Sequence, residues 1–202
     1  MRWGYTVVEI LVVVGIMIIL SAILFPVFGG VRANGQKVHC LSNLRQLVQA
    51  TQLYASDYDR RLVPARVYTD GSDLGHTWCV LLEPYTQNRQ LVTCPADEQP
   101  QMVAACTDLP HSYGINYGLT YLAGGTHLSW SLAAIPRTAD LALFFDMKST
   151  AQAMGSSYVA HRVSRLSERH LERVGVAYLD GHAKAHRAKE VDAERYWNPD
   201  LP

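Results

Sequence analysis

From Ile10 to Val31 the chain has no ionisable side chain, a run of 22 residues bracketed by Glu9 and Arg32. As a helix rising about 1.5 Å per residue it would cover roughly 33 Å, enough for a bilayer core of about 30 Å. The apolar pattern then changes character without stopping. Val38, Leu41, Leu44, Leu47, Val48, Thr51, Tyr54, Ala55 and Tyr58 recur at spacings of three and four. Gln36, Lys37, Asn43, Arg45, Gln46, Gln49 and Gln52 lie between them and are polar. That spacing predicts an amphipathic helix with one face for a core. We read a single helix from about Tyr5 to about Tyr58, with 5–30 as its membrane-spanning half and 31–60 as its amphipathic half. Pro26 and Gly29-Gly30 should soften it.

Past Asp57-Tyr58-Asp59 the pattern breaks at Pro64, and residues 61–202 read as a globular head. Gly, Pro and short polar runs crowd residues 61–135, so loops with short helices and strands are expected. Trp78 to Tyr85 reads as a short helix ending before Pro84. Leu141-Ala142-Leu143-Phe144-Phe145, between Asp140 and Asp146, predicts a buried strand, and Val174 to Leu179 another. Asp180-Gly181 follows, then His182-Ala183-Lys184-Ala185-His186. An Asp-Gly pair between extended runs predicts a two-residue type I′ hairpin, whose central positions both need positive φ. Gly181 should then matter more to stability than His170. The fold class is α+β: a long helix packed on a small antiparallel-sheet head.

Composition narrows the function classes. The 18 basic and 18 acidic residues give zero formal net charge, and no segment is strongly basic. Nucleic acid binding therefore has no electrostatic footprint. Cys40, Cys79, Cys94 and Cys106 lack any CxxC pair, which argues against structural zinc. Their even number suits two disulfides in an exported domain, with three pairings open. No Gly-x-Ser-x-Gly elbow and no glycine-rich phosphate loop is present. Trp78, Trp130 and Trp197 read as packing residues.

The junction ahead of the apolar run is the most specific local signal. It reads Gly4-Tyr5-Thr6-Val7-Val8-Glu9, after a leader of Met1-Arg2-Trp3. A secretory signal peptide would want an apolar core of about 7–15 residues and a small-x-small cleavage site. Here the core is too long, and Ser21-Ala22-Ile23 and Gly29-Gly30-Val31 are poor sites. The junction resembles that of type IV prepilins and type II secretion pseudopilins, with Tyr5 where those proteins usually have Phe, and Pro26 at the helix-kinking proline. The resemblance implies that prepilin peptidase removes residues 1–4 and methylates the amine of Tyr5. It implies that Glu9 serves assembly with other pilin or pseudopilin subunits on an inner-membrane platform. It also implies a single-pass bacterial inner-membrane protein with its head outside the cytoplasm, later part of a filament. The charge bias of Arg2 against Arg32, Lys37 and Arg45 does not itself favour a cytoplasmic leader.

The head resembles a second group, the prepilin-type processing-associated H-x9-DG proteins. His170 and Asp180-Gly181 carry that spacing across 170–181. Cys40-Leu41-Ser42-Asn43-Leu44, Cys94-Pro95-Ala96-Asp97 and Ser112-Tyr113-Gly114-Ile115-Asn116 follow in the expected order. The disulfide pairing we expect joins Cys40 to Cys94, tying helix to head, and Cys79 to Cys106.

Two other chemistries are open to these residue types. On an extended strand Asp180, His182, Lys184 and His186 share a face, so with His170 they could serve a membrane-anchored enzyme or a metal site. The simpler reading gives Asp180 to the turn, His170 to nearby buried backbone groups, and His182 and His186 to a solvated face. Asp57-Tyr58-Asp59 and Asp70-Gly71-Ser72-Asp73 do not complete a calcium loop. We expect a structural subunit and no catalysis, cofactor or metal.

Overall fold

The computed structural model describes residues 4–67, 76–102, 110–120, 129–148, 166–191 and 196–198. The chain divides into two compact units at Gly35 and Gln36. Helix α1 runs Val7–Asp57 and passes through Pro26 without interruption. Within the first unit its apolar side chains are exposed on every side, Ile16, Ile19, Phe25 and Phe28 among them. By length and composition this stretch can cross a membrane, which is compatible with a single-pass anchor.

From Gln36 onward α1 belongs to the same compact unit as the head. Its buried seam is Cys40, Asn43, Leu44, Leu47, Val48, Ala50, Thr51, Tyr54 and Ala55. Each fully buried Leu contributes about 1.5–3 kcal/mol of transfer free energy. The seam corrects the sequence pattern at its edges. Val38 and Tyr58 are exposed, whereas Asn43, a polar position in the pattern, is buried. Its amide donates to the Thr93 carbonyl at 3.2 Å and to Tyr113 Oη at 3.4 Å. The helix ends through Asp59 and Arg60, both at positive φ, as the Arg60 N–H reaches back to the Ala55 carbonyl.

Helix α2 covers Trp78–Thr86 and contains Pro84, so the expected stop before that proline does not occur. Pro84 cannot donate to the Val80 carbonyl four residues back, and the helix runs only two residues further. Trp78 and Leu82 anchor the helix in the core, and Gln87, at positive φ, closes it with an N–H to the Glu83 carbonyl. Two small ladders form apart from the main sheet: β1 (Arg66–Val67) with β2 (His76–Thr77), and β3 (Gln101–Met102) with β4 (Pro110–His111).

The main sheet is antiparallel, in the order β5 (Tyr113–Ile115), β6 (Ala142–Asp146), β7 (Val174–Tyr178), β8 (Ala183–His186). Both β6 and β7 are buried throughout, because each face of the sheet is covered. Gly175, Ala177 and Leu179 face the α1 seam, and Gly175 lies close to Leu44. Val174, Val176 and Tyr178 pack in a second cluster with Phe145, Leu166, Val191 and Trp197. A bulge at Leu143 shifts the β6–β7 register, and turns both Leu143 and Phe144 to the α1 side.

The β7–β8 hairpin forms, but its turn differs from the expected type I′. Tyr178 N–H donates to the His182 carbonyl and Gly181 N–H to the Tyr178 carbonyl. The loop therefore has three residues, Leu179-Asp180-Gly181, and only Gly181 takes positive φ, at 103°. A type I turn followed by one left-handed residue is the common three-residue hairpin. Leu179 is almost fully buried, which draws it into the turn's first position and shifts Asp180 on by one. The two-residue turn with paired positive φ values is found at Leu171-Glu172, at 54° and 60°. There His170 and Arg173 exchange backbone N–H···O=C bonds, 3.2 Å each way.

Candidate functional site

The N-terminal junction is built around Thr6. Thr6 N–H and Thr6 Oγ1 both donate to Glu9 Oε2, each at 2.8 Å, and Glu9 N–H donates to Thr6 Oγ1 at 3.3 Å. This is a capping box: the N-cap hydroxyl and the carboxylate three residues on satisfy each other's backbone donors. Thr-x-x-Glu is its sequence signature, and sequence reasoning passed over it. Gly4 has open space around the position a Cβ would take, and Tyr5 is exposed. Met1 to Trp3 lie outside the described residues.

The second cluster is deep in the head. Cys40 on α1 and Cys94 form a disulfide with Cα atoms 5.2 Å apart, so the expected tie between helix and head is present. Cys79 is also disulfide-bonded, and Cys106 lies outside the described residues. His170 sits against the bridge, its Nε2 3.5 Å from Cys94 Sγ. The same nitrogen is 3.2 Å from Asp146 Oδ2, and both side chains are buried. His170 thus partners a carboxylate and a sulfur, where backbone groups were expected.

Asp146 went unremarked in the sequence except as a strand boundary. It lies across the ladder from Gly175, whose N–H donates to Asp146 Oδ2 at 2.6 Å. The missing side chain at Gly175 makes room for the carboxylate: a Cβ there would stand 2.7 Å from Oδ2 and 2.9 Å from Leu44 Cδ1. Next to His170, Arg169 donates to Asp97 Oδ2 at 2.6 Å and to the Met147 carbonyl. Arg169 and Asp97 are both nearly buried. The Cys-Pro-Ala-Asp phrase therefore meets the His170 turn twice, through Cys94 and through Asp97. The Ser112 to Asn116 phrase supplies β5. Its Asn116 amide holds the carbonyls of Ala142 and Trp197.

Asp180 and Gly181 are not part of that cluster. His170 lies at the Gly175 end of β7, and Asp180 lies beyond the other end, roughly 16 Å of strand away. Asp180 Oδ1 accepts from His182 N–H at 3.0 Å and faces His182 Nδ1 at 2.7 Å. His182 stacks on Tyr178, centroids 4.3 Å apart. Tyr178 Oη lies 2.9 Å from His186 Nε2, and His186 Nδ1 3.5 Å from Glu190 Oε2. A neutral imidazole fits both contacts, accepting from the phenol and donating to the carboxylate. Half-burial, then the nearby Lys184, holds His186 below the usual histidine value.

No family model matches the chain, and no curated protein and no solved structure matches it either. The site must be judged on its own chemistry.

Among the described residues, Cys40, Cys94 and His170 form a group of metal-ligating side chains near enough to share an ion. As a disulfide the two sulfurs are poor ligands, because metals take thiolate. Asp57 is occupied by Tyr85, whose hydroxyl donates to it at 2.9 Å. Asp70 and Asp73 lie outside the described residues. Trp78 is buried 5.0 Å from Phe144, Trp197 meets Phe145 edge-on, and Trp130 is half-buried against the core.

Proposed function

We propose that the chain is a pilin-like or pseudopilin structural subunit. In this reading prepilin peptidase cleaves after Gly4 and methylates Tyr5, and the product joins a type IV pilus-like or type II secretion-like filament. One observation carries it: an uncharged apolar helix, exposed on all sides, is entered directly from Gly4-Tyr5-Thr6-Val7-Val8-Glu9 and continues into the core of a disulfide-bonded head. A lipid bilayer accepts such a stretch in the precursor, and a bundle of like helices would accept it after assembly. The head then lies outside the cytoplasm of a bacterial inner membrane, where its disulfides persist.

Glu9 would pair with the Tyr5 amine of a neighbouring subunit in the filament core, exchanging its local Thr6 partners for a charge. The alternative of an enzyme or metal protein using His170, Asp180 and His182 has no observation in its favour, since the first is remote from the other two.

Intact-mass measurement of the mature protein tests the reading. It should show loss of Met1–Gly4 plus one methyl group on Tyr5, and Gly4→Val should block both. Glu9→Ala should be inserted and processed yet fail to enter filaments. A mature N-terminus near residues 22–30 would refute the assignment.

A further inference from the structure

His170 and Asp146 make an odd core. Asp146 Oδ1 and His170 Nδ1 are buried without a hydrogen-bond partner among the described residues. Buried ionisable pairs stabilise a fold poorly even when fully satisfied, and orphaned atoms make them worse. The same volume could hold two apolar side chains. The pair lies against the Cys40–Cys94 bridge, so four side chains bring their sulfur, nitrogen and oxygen atoms together there.

Their spacing is informative. Cys94 Sγ and His170 Nε2 are 3.5 Å apart, and His170 Nε2 and Asp146 Oδ2 3.2 Å. Tetrahedral zinc, with bonds of about 2.3 Å to sulfur and about 2.0–2.2 Å to nitrogen and oxygen, has edges of about 3.6 Å for S···N and about 3.4 Å for N···O. Both contacts lie within about 0.2 Å of those edges. The ligand atoms of Cys40, Cys94 and His170 all fall within 4.8 Å of one another. Asp146 stands outside that group, so its carboxylate must swing in as the two sulfurs part from a covalent bond to about 3.8 Å.

We propose that, while Cys40 and Cys94 are thiols, Cys40 Sγ, Cys94 Sγ, His170 Nε2 and Asp146 Oδ2 bind one zinc ion, and that closing the disulfide expels it. On binding, Zn²⁺ replaces the two thiol protons, which leave to water, and takes the lone pair of neutral His170 at Nε2. On oxidation the two thiolates give two electrons to a disulfide-class oxidant, which takes two protons from water and is reduced to a dithiol. The S–S bond forms and Zn²⁺ returns to solvent. The metal would hold Cys40 of α1 beside Cys94 before the bond is made, so the pairing is templated in the reduced chain. The inference uses only residues of the head and is independent of the filament reading.

The test uses the full chain in detergent, oxidised or reduced with a phosphine, with zinc as the probe. The oxidised chain should retain no zinc. The reduced chain should bind one equivalent by elemental analysis, with a rise in melting temperature. It should release the zinc when reoxidised. Cobalt(II) in its place should give tetrahedral d–d bands with thiolate charge transfer. His170→Gln and Asp146→Asn should each weaken zinc binding at least tenfold. No uptake by the reduced chain overturns the proposal, whether or not its circular dichroism stays native. Uptake that both variants leave unchanged overturns it too, because the ion then sits elsewhere.

Discussion

Gly175→Ala adds one methyl group where the structure has no room for it. The new Cβ would meet Asp146 Oδ2 at 2.7 Å and Leu44 Cδ1 at 2.9 Å, so either the carboxylate or helix α1 must move. Overpacking a well-filled core costs about 1–3 kcal/mol. Displacing the carboxylate also weakens the charge-assisted bond it accepts from Gly175 N–H, worth about 1.5–3 kcal/mol. Taken together the loss is about 3 kcal/mol. A chain of this size loses about 2–4 °C per kcal/mol, so the midpoint should fall by about 6–12 °C. The assay is a near-ultraviolet circular dichroism melt of the full chain in detergent. Leu44→Ala provides the cross-check. By itself it costs about 2–5 kcal/mol as a cavity, but it removes one of the two clashing atoms. The double variant should then be less destabilised than the sum, with a coupling of about 1 kcal/mol. A fall below about 2 °C for Gly175→Ala, or strict additivity in the cycle, would refute the packing argument.

The other expectations also follow from placement. His170→Ala takes the imidazole from the buried Asp146 carboxyl and leaves its Oδ2 the Gly175 N–H, and should cost about 3–5 kcal/mol. Gly181→Val should cost about 1–3 kcal/mol from a strained φ alone, since the nearest atom to its Cβ is 3.9 Å away. Melts showing the reverse order, the one the sequence suggested, would refute the assignment of His170 to the core. For pH, His186 is held below the ordinary histidine value of 6.5 in the folded chain. Its contribution is therefore fully present above 6.5 and is lost as pH falls through the folded value. Stability should decline as pH falls below the ordinary value of 6.5, and His186→Gln should flatten that decline. An identical slope in the variant would show that other groups cause it.

What the sequence disclosed was whatever a local period or a fixed spacing encodes. The apolar run, the α1 seam from Leu44 to Ala55, and strands β6 and β7 are all written in nearest-neighbour patterns, and they appear nearly where expected. The misses are non-local. Asn43 looks solvated by period and is buried because Thr93 and Tyr113 offer it partners fifty and seventy residues away. Asp146 ends an apolar strand, which hints at a buried carboxylate, but nothing nearby in sequence names Gly175 or His170 as its partners. The hairpin differs from expectation for another reason. Asp-Gly allows both turn lengths, and the choice was made by the burial of Leu179, a tertiary effect. The Thr6–Glu9 cap was the one local signal left unread.

The Cys40–Cys94 bond also decides how a mechanical load enters the protein. A pull transmitted down α1 from its N-terminal end reaches the head within five residues of Gln36, and there it meets a covalent link. The 54 residues that separate the two cysteines in sequence are closed into a loop. That withholds roughly 180–190 Å of extended chain from any tension applied between the helix and the residues after Cys94. The α1 seam from Leu44 to Ala55 lies inside the loop, so the covalent route from helix to Cys94 bypasses it. For a chain pulled by one end, the bridge works as a strain relief beside the hydrophobic packing of the same helix.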